Sequence, residues 1–193
     1  KIINHKSDKK FNGVSIDSKS VKRGNLFIAI KGKNNDGHNF IKQAVLKGAS
    51  NCVISKKFSK IPRNKVIKVS NTYNFLKKLA SLKRNHTNGK IIAVTGSSGK
   101  TSVKYLIGNL LKNYGKTYFS PKSFNNYYGV PLSLCNLEQE HKYGVFEIGM
   151  SKKGEIDTLS KIVKPNIAII TNIAEAHIEN FKDLSQIAKA KGE

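Results

Sequence analysis

The sequence predicts an α/β protein with two domains: a small α/β domain, then a domain built on a mostly parallel sheet. Three observations support this prediction. Short apolar segments typical of buried strands recur along the chain. In the second half they alternate regularly with helical segments. A break at Thr87-Asn88-Gly89 separates the two halves. We therefore expect an N-terminal domain at residues 1–88 and a second domain at residues 89–193.

The first half contains short strands and helices. Residues 14–16, 26–30 and 51–55 are rich in β-branched and other apolar side chains, which predicts three strands. Residues 38–48 carry apolar side chains at helical spacing and end at a glycine, so a helix is expected there. A second helix is predicted over residues 72–86.

The second half shows a strand–helix alternation without polar residues in the strands. Such a pattern favours a parallel sheet with helices on both faces. The predicted segments, in chain order, are strand 91–94, helix 101–114, strand 143–148, helix 154–164, strand 166–171 and helix 184–191. Because the sequence stops inside the last helical segment, we expect it to be a fragment whose second domain is incomplete.

The amino-acid composition limits the functional classes to which this chain could belong. The 193 residues carry a formal net charge of +23, which is typical of nucleic-acid-binding proteins. The lysines, however, are spread over the whole chain with few aromatics among them. We therefore favour a solvated lysine surface that suits phosphate-bearing substrates, with a nucleotide-dependent nucleic-acid-binding protein as the alternative.

Localisation is predicted from the cysteines and from the hydropathy. Only Cys52 and Cys135 are present, so a disulfide framework is not expected. The sequence contains no apolar run long enough to span a bilayer and no signal-peptide pattern at its start. A reducing cytoplasm is the compartment that fits these features.

A glycine-containing loop carries the firmest functional signal. Residues 95–101 read Thr-Gly-Ser-Ser-Gly-Lys-Thr and lie between a predicted buried strand and a predicted helix. In a phosphate-binding loop, Gly96 and Gly99 let backbone N–H groups face the phosphates, beside the positive end of the helix dipole. Lys100 would reach the β- and γ-phosphates, and the Thr101 hydroxyl would ligate Mg²⁺. Val94 stands where the usual pattern has its first glycine.

Three more candidate residues follow predicted strands or lie in the last helix. Glu147 ends a strand, where its carboxylate could hold a metal; the alternative is a solvated acid at a strand end. His177 follows the strand at 166–171, although most single histidines only satisfy local hydrogen bonds. Lys191 lies on a lysine-rich helix, a context more typical of surface charge.

Taken together, these motifs resemble those of the Mur ligase family, which builds the peptide of peptidoglycan precursors. The short loop at residues 95–101 is similar to that family's phosphate loop, including the absent first glycine. Residues 17–19, 24–29 and 36–40 resemble its N-terminal domain, which holds the UDP end of the substrate. The family often has arginine at the position of Lys19, so a bidentate phosphate contact would be lost here.

The resemblance implies roles for individual residues. Residues 1–88 would bind the UDP-linked substrate through Ser18, Lys19, Asp36 and His38, and residues 89–193 would be an incomplete P-loop ATPase-like domain. The implied catalytic residues are Lys100, His177 and Lys191. The implied ATP-binding residues are Thr95, Gly96, Ser97, Ser98, Gly99, Lys100, Thr101, Asn125 and Asn126. The implied ligands of two Mg²⁺ ions are Thr101, Glu147, His177 and Lys191, the last as the lysine that many family members carbamylate.

The resemblance also implies an activity. It predicts an ATP-dependent amide ligase that joins D-alanyl-D-alanine to a UDP-muramoyl tripeptide, working as a cytoplasmic monomer. The segments at residues 123–132 and 171–177 favour this acceptor. The alternative is the sister activity that adds a diamino acid as the third residue. The family's C-terminal domain is absent from the sequence, so we expect the fragment alone to be inactive.

Overall fold

The computed structural model describes residues 2–4, 10–57 and 61–193. The chain divides into two units, Lys1–Leu79 and Ala80–Glu193. The division falls inside a helix, whereas the sequence places the boundary after residue 88. The second half of that helix lies in unit 2, where the Arg84 guanidinium donates to the carbonyls of Val163 (2.7 Å) and Lys164 (2.6 Å).

Unit 1 is built on a sheet in which four strands are parallel and one strand is antiparallel. The order is β1-β5-β4-β3-β2, and only the β1–β5 pair is antiparallel. Helix α1 connects β3 to β4, which leaves these two strands parallel. The elements are β1 Ile2–Asn4, β2 Val14–Ser15, β3 Leu26–Ile28, α1 Ile41–Leu46, β4 Asn51–Ile54, β5 Val66–Val69 and α2 Thr72–Asn85. Short 3₁₀ turns at Gly37–Phe40 and Arg63–Lys65 precede α1 and β5.

Unit 2 has four parallel strands in the order β7-β8-β6-β9 within the described residues. Its elements are β6 Lys90–Thr95, α3 Lys100–Leu111, β7 Thr117–Phe119, α4 Gly129–Cys135, β8 Tyr143–Glu147, α5 Glu155–Val163, β9 Ile167–Ile170 and α6 Leu184–Lys191. A 3₁₀ turn covers Ile178–Asn180. Strands β8 and β9 lie on opposite sides of β6. The direction in which successive strands are added to the sheet therefore changes at β6. Ligands of open α/β sheets bind at the carboxyl edge beside such a point.

The predicted α/β class with mostly parallel sheets is confirmed, while four elements were not predicted from the sequence. Strands β1, β5 and β7 are only three or four residues long, and β1 and β7 lie at sheet edges. Helix α4 begins with Gly129 and contains Pro131, residues that normally indicate a loop. Proline is tolerated in a first helical turn because no intrahelical acceptor exists there for its missing N–H.

Each unit has its own apolar core. In unit 1, Phe27, Ile41 and Ile54 are at most 1% exposed and belong to one buried cluster. In unit 2, Val94 and Val145 form a cluster with Ile92, covered on one side by α3. Across the described part of the chain, no helix is long and apolar enough to cross a membrane. Cys52 and Cys135 are buried and form no disulfide, and burial raises the pKa of each to about 12.

Candidate functional site

The loop that links β6 to α3 has the backbone shape of an anion cradle. Gly96 and Gly99 take φ values of 143° and 75°, which side-chain-bearing residues rarely adopt. A Cβ atom on Gly96 would lie 1.9 Å from the Thr171 hydroxyl oxygen. Glycine is therefore required at this position by both conformation and space, and the loop opens onto the N-terminus of a 12-residue helix.

The residues that follow β9 hold this loop in place. The Ser97 hydroxyl donates to the Ala174 carbonyl and accepts from the Ala174 N–H, both at 2.9 Å. The Asn172 side chain accepts from the Ser98 N–H at 2.9 Å and donates to the Ser98 hydroxyl at 2.7 Å. These contacts fix a loop that lacks the first glycine of the longer pattern. No sequence pattern distinguishes Asn172 as a residue that holds the loop.

Lys100 lies over the loop rather than in solvent. Its ammonium donates to the carbonyls of Gly96 (2.8 Å) and Ser97 (3.1 Å). An ammonium has three N–H donors, so one remains for a further acceptor beside the loop. The structure thus puts Lys100 where a phosphate in the cradle would meet its positive charge.

Glu147 lies at the carboxyl end of β8, and only 1% of its surface is exposed. Its Oε2 accepts from the Thr101 hydroxyl at 2.8 Å, and its Oε1 accepts from the Asn125 side-chain amide at 2.8 Å. The Ser120 hydroxyl accepts a hydrogen bond from the backbone N–H of Glu147 at 3.4 Å. The alternative of a solvated strand-end acid is therefore wrong.

A second buried charge, missed from the sequence, adjoins this carboxylate. Lys104 is fully buried on α3, and its Nζ lies 3.4 Å from Glu147 Oε2. The same ammonium donates to the backbone carbonyl of Lys122. Buried lysines are rare unless they are paired. In a sequence with 35 lysine and arginine residues, no local feature distinguishes Lys104 from its exposed neighbours.

The two predicted asparagines do different things. Asn125 contacts Glu147 directly, as described above. The Asn126 side chain instead accepts from the N–H groups of Tyr128 (3.1 Å) and Gly129 (2.9 Å), at the start of α4. Asn126 therefore anchors the helix that begins at Gly129.

Lys191 is only 4% exposed, so its interpretation as surface charge is wrong. Burial, with a smaller contribution from the positive charge of Lys100, lowers the pKa of Lys191 to about 8. Among the described residues, no carboxylate pairs with it. A buried amine with a lowered pKa is partly neutral near physiological pH, as carbamylation requires.

His177 is separated from the buried part of the site. It has a left-handed backbone (φ 62°), its side chain is 46% exposed, and its Nδ1 lies 3.8 Å from Glu179. No described hydrogen bond joins it to Glu147 or Lys191. The structure thus brings Thr101, Asn125 and Glu147 together, places Lys100 over the adjoining loop and leaves His177 outside that group.

The donor chemistry around Thr101 fits a hard cation. Mg²⁺ prefers oxygen ligands, keeps several waters and is held with one or two carboxylates plus substrate phosphates. The Thr101 hydroxyl and the Glu147 carboxylate supply two such oxygens beside the phosphate cradle. The described residues contain no cluster of three or more His, Cys, Asp or Glu side chains suited to a metal. A site shared with nucleotide phosphates does not need one.

The residues predicted to bind substrate in unit 1 form local networks. His38 is buried, donates from Nδ1 to Asp36 at 2.6 Å and accepts at Nε2 from the Ser55 N–H at 3.0 Å. The hydrogen bond from Lys56, with that from His38, holds the pKa of Asp36 well below its usual range. Ser18 donates to the Gln43 side chain at 2.6 Å.

Lys19 is exposed next to Ser18. Its backbone N–H donates to Asp17, and its carbonyl accepts from Lys47 at 2.6 Å, so the side chain itself stays free of these contacts. Lys19 thus offers a positive charge at the surface of unit 1, and its role in substrate binding stays a prediction.

Comparison with known proteins matches both units to one family. The family model described as the Mur ligase middle domain matches residues 94–193, more than half of the chain. The model described as the Mur ligase family catalytic domain matches residues 10–84.

The chain belongs to the Mur ligase family. Its sequence is 44% identical, over 94% of this chain, to the UDP-N-acetylmuramoyl-tripeptide–D-alanyl-D-alanine ligase of Rickettsia prowazekii. It is 36% identical, over 97% of this chain, to the ligase of the same name from Escherichia coli. The chain spans about two-fifths of the length of these relatives, 40% and 41% respectively.

Solved structures of Mur ligases share the fold. A crystal structure of MurF from Acinetobacter baumannii matches 94% of this chain and 39% of its own length, with a TM-score of 0.82 at 36% identity. The MurF ligase from Thermotoga maritima, solved in complex with ADP, matches 96% of this chain and 43% of its own, with a TM-score of 0.79 at 35% identity. Family membership and fold are therefore both shown for this Mur ligase chain.

Proposed function

We propose that this chain is part of an ATP-dependent ligase that joins D-alanyl-D-alanine to a UDP-N-acetylmuramoyl tripeptide. The observation that carries the proposal is the phosphate loop with Thr101 hydrogen-bonded to the buried Glu147. The names of the relatives at 36–44% identity support the choice of acceptor. The ADP bound by the Thermotoga maritima relative supports ATP as the nucleotide.

In the proposed reaction, the terminal carboxylate of the tripeptide attacks the γ-phosphate of ATP and forms an acyl phosphate, with ADP as the leaving group. The amine of D-alanyl-D-alanine then attacks the activated carbonyl and loses a proton. Inorganic phosphate leaves and the amide bond remains. The charge on the transferred phosphoryl group is what the protein must stabilise.

The chain's own residues fit this task. Backbone N–H groups of the loop, with the N-terminus of α3, would hold the phosphates. Lys100 would turn its remaining N–H donor to the β- and γ-phosphates. Thr101 and Glu147 would hold Mg²⁺, which when bound neutralises phosphate charge and orients the γ-phosphate. Asn125 would keep the Glu147 carboxylate in position.

The other predicted residues belong to the same proposal. Lys191, as a carbamate, would present an anion beside Lys100 and could serve a second Mg²⁺. His177 would have to approach the site to join it. Unit 1 would bind the UDP-linked substrate through the surface around Ser18, Lys19, Asp36 and His38, and the working compartment would be the cytoplasm.

The test is a phosphate-release assay on the full-length protein with UDP-muramoyl tripeptide and ATP. We expect D-alanyl-D-alanine to stimulate release and a diamino acid to have no effect. Stimulation by a diamino acid with UDP-muramoyl dipeptide would instead assign the sister activity. Lys100→Ala should abolish release, because the loop then presents no positive side chain to the phosphates. If Lys100→Ala releases phosphate at the original rate, the assignment of the loop is wrong.

A further inference from the structure

The buried Lys104 has no place in the proposed reaction, yet it occupies the interior of the site. It is completely buried, and it lies three residues after Thr101 on α3, so both side chains project from the same face of the helix. Both reach the same atom, Glu147 Oε2, at 2.8 Å from the hydroxyl and 3.4 Å from the ammonium. A lysine here therefore shares a carboxylate oxygen with the proposed metal ligand.

Lys104 also fixes the segment that carries Asn125. Its ammonium donates to the carbonyl of Lys122, and the next residue, Tyr105, accepts from the Lys122 N–H at 3.1 Å. Lys122 has a left-handed backbone with φ of 50°, which costs free energy for a residue other than glycine. Two successive residues of α3 thus hold one strained residue, three positions before the asparagine that contacts Glu147.

We propose that Lys104 is a positioning residue and the internal counter-ion of Glu147. It keeps the Glu147 carboxylate in position and lowers the affinity of that carboxylate for Mg²⁺. This proposal rests on the proposed function for the identity of the metal, but not for the ion pair. The carboxylate is 1% exposed, and a buried anion without a partner strongly destabilises a fold. Lys104 supplies the opposite charge.

The same positive charge opposes a cation at Glu147. Asn125 and Thr101 would still hold one carboxylate oxygen each, at 2.8 Å, if Lys104 lost its charge. The orientation of Glu147 would then persist while the repulsion between ammonium and Mg²⁺ disappeared. Removing the charge should therefore strengthen metal binding, whereas a purely structural lysine would leave it unchanged or weaken it.

The first experiment is a double-mutant cycle that measures the free energy of unfolding of the full-length protein in EDTA. Urea unfolding compares the parent, Lys104→Met, Glu147→Gln and the double variant. We expect the double variant to be more stable than the sum of the two single losses predicts, because it leaves no unpaired buried charge. If Lys104→Met alone does not fold, the double variant should still fold. Additive losses, or a double variant that does not fold, would overturn the ion-pair assignment.

The second experiment measures metal affinity without measuring turnover. The melting temperature is followed as Mg²⁺ is added at a fixed ADP concentration. We expect the half-saturating Mg²⁺ concentration of Lys104→Met to fall at least about threefold, since the nearby positive charge has gone. Lys112→Met, an exposed lysine directly after the same helix, is the matched control and should not change it. An unchanged or increased Mg²⁺ requirement in Lys104→Met would refute the effect on metal binding.

The two experiments separate the inference from the function on which it rests. If the parent protein shows no Mg²⁺-dependent stabilisation by ADP, the proposed nucleotide and metal site is wrong, and with it the predicted effect on metal affinity. The unfolding cycle in EDTA still decides whether Lys104 and Glu147 are coupled.

Discussion

Replacing Lys191 by methionine should stabilise the fold, because the lysine is charged in a buried environment. Its side chain is 4% exposed, and burial together with Lys100 lowers its pKa from 10.5 to about 8. At about 1.4 kcal/mol per pKa unit, the charged form costs at most about 3.5 kcal/mol. Methionine keeps the apolar stem without the charge. We expect a gain of about 1–3 kcal/mol at pH 7.

The stability gained by Lys191→Met should depend on pH. The pKa of Lys191 is lower in the folded than in the unfolded protein, so the unfolded state binds more protons between about pH 8 and 10.5. The loss of stability caused by the charged Lys191 is therefore complete below pH 8 and decreases as the pH rises through that window. The advantage of Lys191→Met should be largest at pH 7 and should shrink towards pH 10.5.

The assay is urea unfolding of the protein and of Lys191→Met in buffers freed of carbon dioxide. Lys189→Met, an exposed lysine on the same helix, is the control and should change stability little at any pH. Added bicarbonate should stabilise only proteins that retain Lys191, because a carbamate there would face Lys100 with the opposite charge. A stability difference that is absent at pH 7, or that does not shrink with rising pH, would contradict the reasoning.

Three other substitutions follow from the geometry. Gly96→Ala should abolish ADP binding in calorimetry, because its Cβ would lie 1.9 Å from the Thr171 hydroxyl at a φ of 143°; retained affinity would exclude a rigid cradle. Arg84→Met should cost about 1–3 kcal/mol in urea unfolding by removing two hydrogen bonds to the end of α5. His38→Ala should cost about 1–3 kcal/mol, since the partly buried Ser55 N–H loses its acceptor and Asp36 loses one of its hydrogen bonds. For the last two, a loss under 0.5 kcal/mol (roughly a surface effect) would show that water replaces these bonds.

The main strands and helices could be predicted from local pattern. Strands β6, β8 and β9 are continuous apolar runs between helices, and α6 has the predicted bounds Leu184–Lys191. The short edge strand β7 and the proline-containing α4 could not be predicted, because pairing and tertiary packing stabilise them against their local preferences. The Arg84 hydrogen bonds to the end of α5 join residues 79 and 80 positions apart in sequence, so no local pattern indicates them either.

Part of the site was also predictable. The phosphate loop was identified from its glycines and from its place between a strand and a helix. Glu147 was predicted as a metal ligand, a role that stays a proposal, and its burial could not have been foreseen. The Asn172 contacts to Ser98 join segments more than 70 residues apart in sequence, so no local pattern indicates them.

By itself, the sequence determined the class of fold, the phosphate loop and the resemblance to Mur ligases, because each depends on short-range spacing and periodicity of residues. Only the tertiary structure decided which lysines are buried. Lys104 and Lys191 have the same local appearance as their exposed neighbours among 35 lysine and arginine residues. What sets them apart is desolvation and the charges of Glu147 and Lys100, and those depend on how α3, β8 and α6 are brought together.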